Sequence, residues 1–495
     1  MENPIAPKSK MTISLKDKKL WIIVGVVAVV LLLVVVLGVV LFGGNKSNNK
    51  NDNSNTANNA AFDFNQCIKD NTKPGEDSHV ANDICMNKQA EANQNSQNLS
   101  PNGTIAPSFS PTPMANIKGD PNSTDPKQKG LALSDGQCEG IGSMKLTHAP
   151  MNIKDVSTIQ PMGAVVGGHV TPIDHEYYYQ ANQNAPKDTY PVYADGDGFI
   201  TIIEDDFDGV KEAWRLTIAH SCTFLSIYNL LTSVTPEIKA KLAANYPKSA
   251  SITVKIPVKA GDLLGYVGGQ SLDYQLADTT TQLKGFLNPI AYNNREPWKV
   301  NTVRPLDYFT ESVKSEVLTK YIKTAEPRDG KIDYDVDGQA IGTWFVQGTN
   351  GYAGSDSHST TTPYYVGHLS LAPDSIDPSG MIFSIGDFKG QPTQFAVKNI
   401  DFTKITPTSG IVKIELFQRS YITSAGATWT GQYATGIKLS SGPSQATALI
   451  QMTDNQIMKV EVFSGKTPAQ VTGFTSAAKI YNRGQDAHLI INNGN

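Results

Sequence analysis

The chain has 495 residues, a formal net charge of −4, and 39% hydrophobic and 8% aromatic residues. That length and composition allow two or three domains with ordinary cores. So balanced a charge offers no concentrated basic face, which excludes nucleic acid as the expected partner.

The first element is the uncharged run Leu20–Phe42, built almost wholly of Val, Leu, Ile and Gly. As a helix it measures roughly 35 Å, against about 30 Å for a bilayer core. In lipid a single segment must satisfy its own backbone, so helix is the available form despite the β-branched content. The run exceeds a secretory apolar region of about 7–15 residues, so it reads as a retained signal-anchor. Lys8, Lys10, Lys16, Lys18 and Lys19 precede it and only Lys46 and Lys50 follow closely. The positive-inside rule therefore predicts a single-pass protein of the cell membrane, residues 1–19 cytoplasmic and the bulk extracytoplasmic.

Residues 43–135 are poor in large apolar side chains and rich in Asn, Ser, Asp, Gln and Pro, which predicts a disordered polar stalk. Cys67, Cys85, Cys138 and Cys222 all fall on the predicted outer side, where disulfides persist. Four cysteines allow three pairings; the favoured one is Cys67 with Cys85 as a local loop and Cys138 with Cys222 as a tie onto the next domain.

From 136 to 326 the pattern changes to short strands punctuated by glycine, among them Phe199–Ile203, Arg215–Ala219 and Ser251–Ile256. Helices are predicted over Pro236–Asn245 and Tyr308–Ile322, the second with Phe309, Val313, Val317 and Tyr321 on one face. Residues 327–495 are again all β, with strands expected at Trp344–Val346, Tyr365–Val366, Met381–Ile385, Ile411–Leu416, Ala448–Ile450 and Ile457–Val462. Their spacing predicts an antiparallel barrel or sandwich. Asp333-Tyr334-Asp335-Val336-Asp337-Gly338 opens like a calcium loop, but the twelfth position is Trp344 where an EF-hand needs Glu. The fold class expected is therefore mainly β: transmembrane helix, antiparallel sheet domain, then β-barrel or sandwich.

Four stretches of the central region stand in an order that resembles the lysostaphin/LytM-type zinc endopeptidases. Pro161-Met162-Gly163 leading to Gly168-His169-Val170-Thr171-Pro172-Ile173-Asp174 is similar to the family's opening motif. Val192-Tyr193-Ala194-Asp195-Gly196-Asp197-Gly198-Phe199-Ile200 is similar to its glycine hairpin. Leu216-Thr217-Ile218-Ala219-His220, followed by Ser226-Ile227-Tyr228-Asn229-Leu230-Leu231, resembles "I-x-H … Y-x-H-L". Val258-Lys259-Ala260-Gly261-Asp262-Leu263-Leu264-Gly265 leads, as in that family, into the last strand, here Ser271-Leu272-Asp273-Tyr274-Gln275-Leu276.

The resemblance implies zinc ligands at His169 and Asp174, five residues apart where the family has four, and a third at Asp273, where the family has the second His of His-x-His. It aligns Ser271 with the first His of that pair and implies a helper role for His220. A catalytic zinc of this kind needs three protein ligands and one open place for water. The set His169, Asp174 and Asp273 lacks an imidazole, and His175 could replace it only if a bulge at Pro172 turned it to the side of His169, since neighbours on a strand face opposite ways. The plainer reading makes Thr171, Asp174 and His175 a polar network at a turn.

Gly342-Thr343-Trp344, with Arg483 far downstream, resembles the lipocalin signature, which implies an Arg stacked on a Trp at the end of a barrel. The sequence therefore reads first as a membrane-anchored extracytoplasmic pseudo-peptidase, without a cofactor, that binds peptidoglycan, another envelope polymer or an envelope protein. The alternatives are a divergent metallohydrolase holding Zn through His169, Asp174 and Asp273 with His220 as helper, and a barrel that carries a lipophile.

Overall fold

The computed structural model describes residues 119–487, apart from 208–211, 249, 356–361, 430 and 432. The expected cytoplasmic tail, the membrane span Leu20–Phe42, the stalk up to 118 and the pair Cys67 and Cys85 lie outside the described residues. Among the described residues no helix is long and apolar enough to cross a membrane.

The expected stalk boundary at 135 is corrected by a helix at Pro126–Leu133. Asp125 caps it by accepting the Lys127 N–H at 2.9 Å, and Pro126 occupies the first turn, where its missing N–H costs nothing. The helix is docked on the sheet domain. Thr279 Oγ1 donates to the Pro126 carbonyl at 2.7 Å, and Gly130 lies so close to the Cys222 carbonyl that a Cβ would stand 1.6 Å from its oxygen. The Cys138–Cys222 disulfide closes the same junction, as expected. Polar composition suggested disorder here, but a cap, a close glycine contact and a covalent tie together order the segment.

The central domain contributes eleven strands. They are β1 (Val156–Gln160), β2 (Glu176–Gln180), β3 (Tyr190–Tyr193), β4 (Gly198–Asp205), β5 (Trp214–Ala219), β6 (Phe224–Leu231), β7 (Ser233–Val234), β8 (Ile252–Val258), β9 (Leu263–Val267), β10 (Leu272–Asp278) and β11 (Thr302–Val303). The main sheet runs β1-β2-β10-β6-β5-β4-β8 with β11 paired to β10, and β3-β9-β7 form a smaller sheet. All these pairings are antiparallel. Strand β10 is buried along its whole length because both of its faces are covered. Leu272, Tyr274 and Leu276 enter the main core with Tyr178, Tyr228, Leu216 and Phe309. By alternation Asp273, Gln275 and Ala277 occupy the other face.

The two helices expected here are shorter than the sequence suggested: Pro236–Lys239 and Glu311–Leu318, the latter preceded by a separate turn at Pro305–Tyr308. Phe309 leaves helical geometry because Leu146 pairs beside it, donating its N–H to the Tyr308 carbonyl and accepting from Thr310 N–H. Phe309, Val317 and Tyr321 nevertheless reach the core.

The remaining strands are β12 (Gly342–Val346), β13 (His368–Pro373), β14 (Met381–Phe388), β15 (Gln391–Val397), β16 (Val412–Ile422), β17 (Lys438–Asp454), β18 (Ile457–Ser464) and β19 (Lys479–Asn482), and they close into an eight-stranded barrel. Tyr365–Val366, expected as strand, lie in a 3-10 turn at Tyr364–Gly367 ahead of β13. Alternate residues of all eight strands, Trp344, Leu371, Phe383, Phe395, Leu416, Ile450, Met458 and Tyr481 among them, pack inside as one core. A small barrel filled by its own side chains behaves in this way, which weighs against a lipophile carrier.

Arg483 lies 3.5 Å from the centroid of the Trp344 ring. It donates to Asp335 Oδ1 at 3.0 Å and to the carbonyls of Thr343, Gln339 and Ile341 at 2.8–3.0 Å. The carboxylates of the calcium-like run diverge instead of converging. Asp333 accepts from Gly285 N–H, Asp335 from Thr343 N–H, and Asp337 from Asn455 and Gln456.

Candidate functional site

Two polar clusters flank β10, one on each face. On the face of Asp273 and Gln275, the chain entering β2 brings in Asp174 and His175. Asp174 Oδ2 accepts from Gln275 Nε2 at 2.9 Å and from Trp298 Nε1 at 3.0 Å. Its Oδ1 faces His175 Nδ1 at 3.1 Å, with the Lys299 ammonium 3.8 Å away. His175 Nε2 looks the other way, 3.5 Å from Asp273 Oδ2, an ion-pair distance without a formed hydrogen bond. Ser271 Oγ donates to Asp273 Oδ1 at 2.9 Å. Asp174 and His175 therefore turn to one cluster although adjacent in sequence, because they precede the regular pairing of β2, which begins at Glu176.

Burial favours the neutral carboxyl of Asp174, but the Lys299 charge and the His175 contact outweigh it and hold its pKa well below the usual carboxylate range. Burial likewise works against charge on His175, yet the Asp174 hydrogen bond and the charges of Asp273 and Asp174 raise its pKa above the ordinary value.

His169 sits in a tight turn in which Val166 and His169 exchange backbone hydrogen bonds at 3.0 Å, its ring edge-on to His175 with centroids 5.9 Å apart. The barrel holds this turn. Arg419 Nη1 donates to the Val165 carbonyl at 2.7 Å, Gln394 Nε2 donates to the Gly167 carbonyl at 3.0 Å, and a Cβ at Gly168 would stand 2.8 Å from the Tyr365 ring. Lys299 is 2% exposed, sits 3.3 Å from Glu296 and lies 4.9 Å from the centroid of the Tyr352 ring.

These residues do not fit the zinc that the sequence resemblance implies. A ligand set must present lone pairs to one point, whereas Asp174 is saturated by two N–H donors, an imidazole and an ammonium. His175 turns Nδ1 to Asp174 and Nε2 towards Asp273, so its two ring nitrogens are directed at separate carboxylates and not at one point shared with them. Among the described residues no three His, Cys, Asp or Glu side chains are grouped to hold a metal ion. Asp174, His175 and Asp273 are brought together, with His169 at the margin.

His220 is not brought to them. It stands on the core face of β10, where Tyr274 hydroxyl donates to Asp195 Oδ2 at 2.5 Å. His220 Nδ1 donates to the Asp197 carbonyl at 2.8 Å, and Nε2 lies 2.7 Å from Ser226 Oγ and 3.3 Å from Asp195 Oδ1. Ser226 Oγ in turn donates to Asp195 Oδ2 at 2.5 Å. Nε2 thus faces a carboxylate and a hydroxyl oxygen, surroundings that favour positive charge on the ring. Burial opposes that charge on His220, but the Asp195 carboxylate and the Asp197 carbonyl raise its pKa. Burial also opposes charge on Asp195, and its bonds to His220, Ser226 and Tyr274 win, lowering its pKa. Ser, His and Asp share the composition of a nucleophilic triad, but the side chains of His220 and Asp195 are 0% exposed and Ser226 is fully buried. The cluster is an internal brace, and it stands on the opposite face of β10 from Asp174 and Asp273.

The sequence reading missed Asp195, Gln275, Trp298 and Lys299. Asp195 lies inside the glycine hairpin motif, where nothing local marks it as a buried carboxylate. Lys299 carried no local signal, because what buries it arrives from the barrel and from Asp174, far away in sequence.

No protein-family model matches the chain, and no curated protein matches it. Among solved structures it is similar to Helicobacter pylori Csd3, at 15% identity and a TM-score of 0.19, over 35% of this chain and 37% of that one. The match thus spans about a third of Csd3. It is also similar to the antimicrobial peptidase lysostaphin from Staphylococcus simulans, at 14% identity and a TM-score of 0.21, over 65% of this chain and 99% of that one. A solution structure of lysostaphin matches at 12% identity and a TM-score of 0.20, over 60% and 100% of the two chains.

Proposed function

We propose that this is a membrane-anchored, extracytoplasmic pseudo-peptidase, whose LytM-like sheet domain binds an envelope polymer or envelope protein without cutting it. One observation carries the reading. Where a hydrolase would need a divalent cation beside Asp174 and Asp273, the chain supplies its own positive charge, with Lys299 at 3.8 Å from Asp174 and His175 between the two carboxylates. Internal neutralisation leaves the carboxylates no unmet charge with which to attract a metal.

The test is metal analysis of the purified full-length chain, paired with its retention on isolated cell-wall sacculi and on envelope extract. Sub-stoichiometric zinc, no cleavage of glycine-bridged peptidoglycan and measurable retention are expected. One zinc per chain, lost on His169→Ala, would return the divergent metallohydrolase and end this reading. Protease protection on intact cells tests the anchor, which predicts that the chain beyond Phe42 is cut from outside.

A further inference from the structure

A cavity of about 170 Å³ lies on the same sheet face, at the other end of β10 from Asp273. The sheet residues Ile202, Leu225, Ile227 and Ala277 form its floor, and Trp298 and Ala132 of the helix Pro126–Leu133 also line it. An apolar cavity of about 150 Å³ is known to accept benzene, so this one matches a small aromatic or branched aliphatic side chain and is too small for an acyl chain.

Its polar end is built from Arg215 and Glu204. The Arg215 guanidinium is stacked between Trp298 and Phe207, 4.6 and 4.9 Å from their centroids. Glu204 Oε2 lies 3.6 Å from Arg215 Nη1, so the charge is already countered. Arg215 Nε is buried, without a hydrogen-bond partner among the described residues. A buried donor left unmade is costly, and an occupant that satisfied it would recover that cost. Because Glu204 balances the arginine, a second anion would be repelled, whereas a neutral amide offers a carbonyl to Nε and an N–H to Glu204.

We propose that this cavity binds an apolar residue of a peptide chain, its side chain on the Ile227 and Ala277 floor against Trp298 and its adjoining amide on Arg215 and Glu204. The site is separate from the acid cluster and does not depend on whether that cluster holds a metal. The two are nevertheless joined, since Trp298 is both wall of the cavity and donor to Asp174 at 3.0 Å.

The test uses the full-length chain carrying 5-fluorotryptophan, with the Trp298 resonance assigned by Trp298→Phe and benzamide and benzoate as probes. Benzamide is expected to move the Trp298 signal saturably. Ala132→Phe, which enlarges a lining side chain supplied by the helix Pro126–Leu133, is expected to abolish the shift. Arg215→Lys, which keeps the charge but removes Nε, is expected to weaken binding about tenfold, the worth of one hydrogen bond to a charged group. Benzoate is expected to bind about tenfold more weakly than benzamide. The proposal is overturned by an unmoved Trp298 signal, by a shift that survives Ala132→Phe, or by benzoate binding as tightly as benzamide.

Discussion

Asp273 and Tyr274 are neighbours on one strand and belong to two buried networks of different character. Tyr274 joins Asp195, His220 and Ser226 on the core face, where Asp195 Oδ2 accepts from two hydroxyls and Oδ1 has an ion-pair contact with His220. Asp273 joins Asp174, His175 and Lys299 on the other face, where His175 Nε2 has only an ion-pair contact and the neutralising charge comes from a distant loop. The first is closed and inaccessible, so it can only brace the fold. The second draws on three separate segments and borders both a cavity, through Trp298, and the barrel domain, through Tyr352. A buried polar group signals function only when its partners do not already complete it.

That contrast breaks most visibly at Asp195. Asp195→Ala removes the carboxylate that faces His220 and strands two hydroxyl donors in the core, so a loss of about 3–5 kcal/mol is expected in urea unfolding if the pair is charged. A loss below about 1 kcal/mol would mean that the core-face network is not charged. Across the sheet, Lys299→Met should cost less, about 2 kcal/mol, because Asp174 keeps its bonds to Gln275, Trp298 and His175. One equivalent of zinc should leave that deficit unchanged. Recovery on adding zinc would reveal a metal-competent donor set blocked only by the ammonium, and the difference between the two faces would have to be redrawn. Tyr274→Phe, which removes a single charge-assisted hydrogen bond and leaves the ring packing, should cost about 1.5 kcal/mol, and the same melt reads it.

Several strands of both domains were legible because period-two alternation and glycine punctuation are local signals, and Phe199–Ile203 and Arg215–Ala219 fall inside β4 and β5. The barrel was readable for the same reason, and Trp344 with Arg483 marked one of its contacts across the whole domain. In the barrel, β13, β15 and β19 went unread: the strand expected at Tyr365–Val366 stops short of His368–Pro373, Gln391–Val397 opens on polar residues and a proline, and Lys479–Asn482 is only four residues long. The site was half legible. Asp174 and Asp273 could be placed by motif order, but motif order says nothing about faces, so His220 was assigned to them although one residue of β10 separates the two networks. Lys299 could not be found at all, since a lysine becomes a counter-ion only when the fold buries it beside a carboxylate.

The smallest effect expected is a dependence on pH, and it separates a charged brace from a neutral one. His220 is faced by Asp195, by the Asp197 carbonyl and carboxylate, by Ser226, and through Asp195 by Tyr274. Its folded pKa is raised, so its contribution is whole below an unfolded value near 6.5 and is lost as pH rises through the higher folded value. Asp195 has the opposite sign: its folded pKa is lowered, so its contribution is whole above an unfolded value near 3.8 and is lost as pH falls through the lower folded value. Both are present only in the window between. The stability difference between the native chain and His220→Gln should therefore be largest near about pH 5 and shrink by on the order of 1 kcal/mol towards alkaline pH. His175 titrates in both proteins and cancels in that difference. A difference that stays flat from about pH 5 to pH 9 would mean a neutral His220, and the core-face network would then be a chain of ordinary hydrogen bonds instead of a buried ion pair.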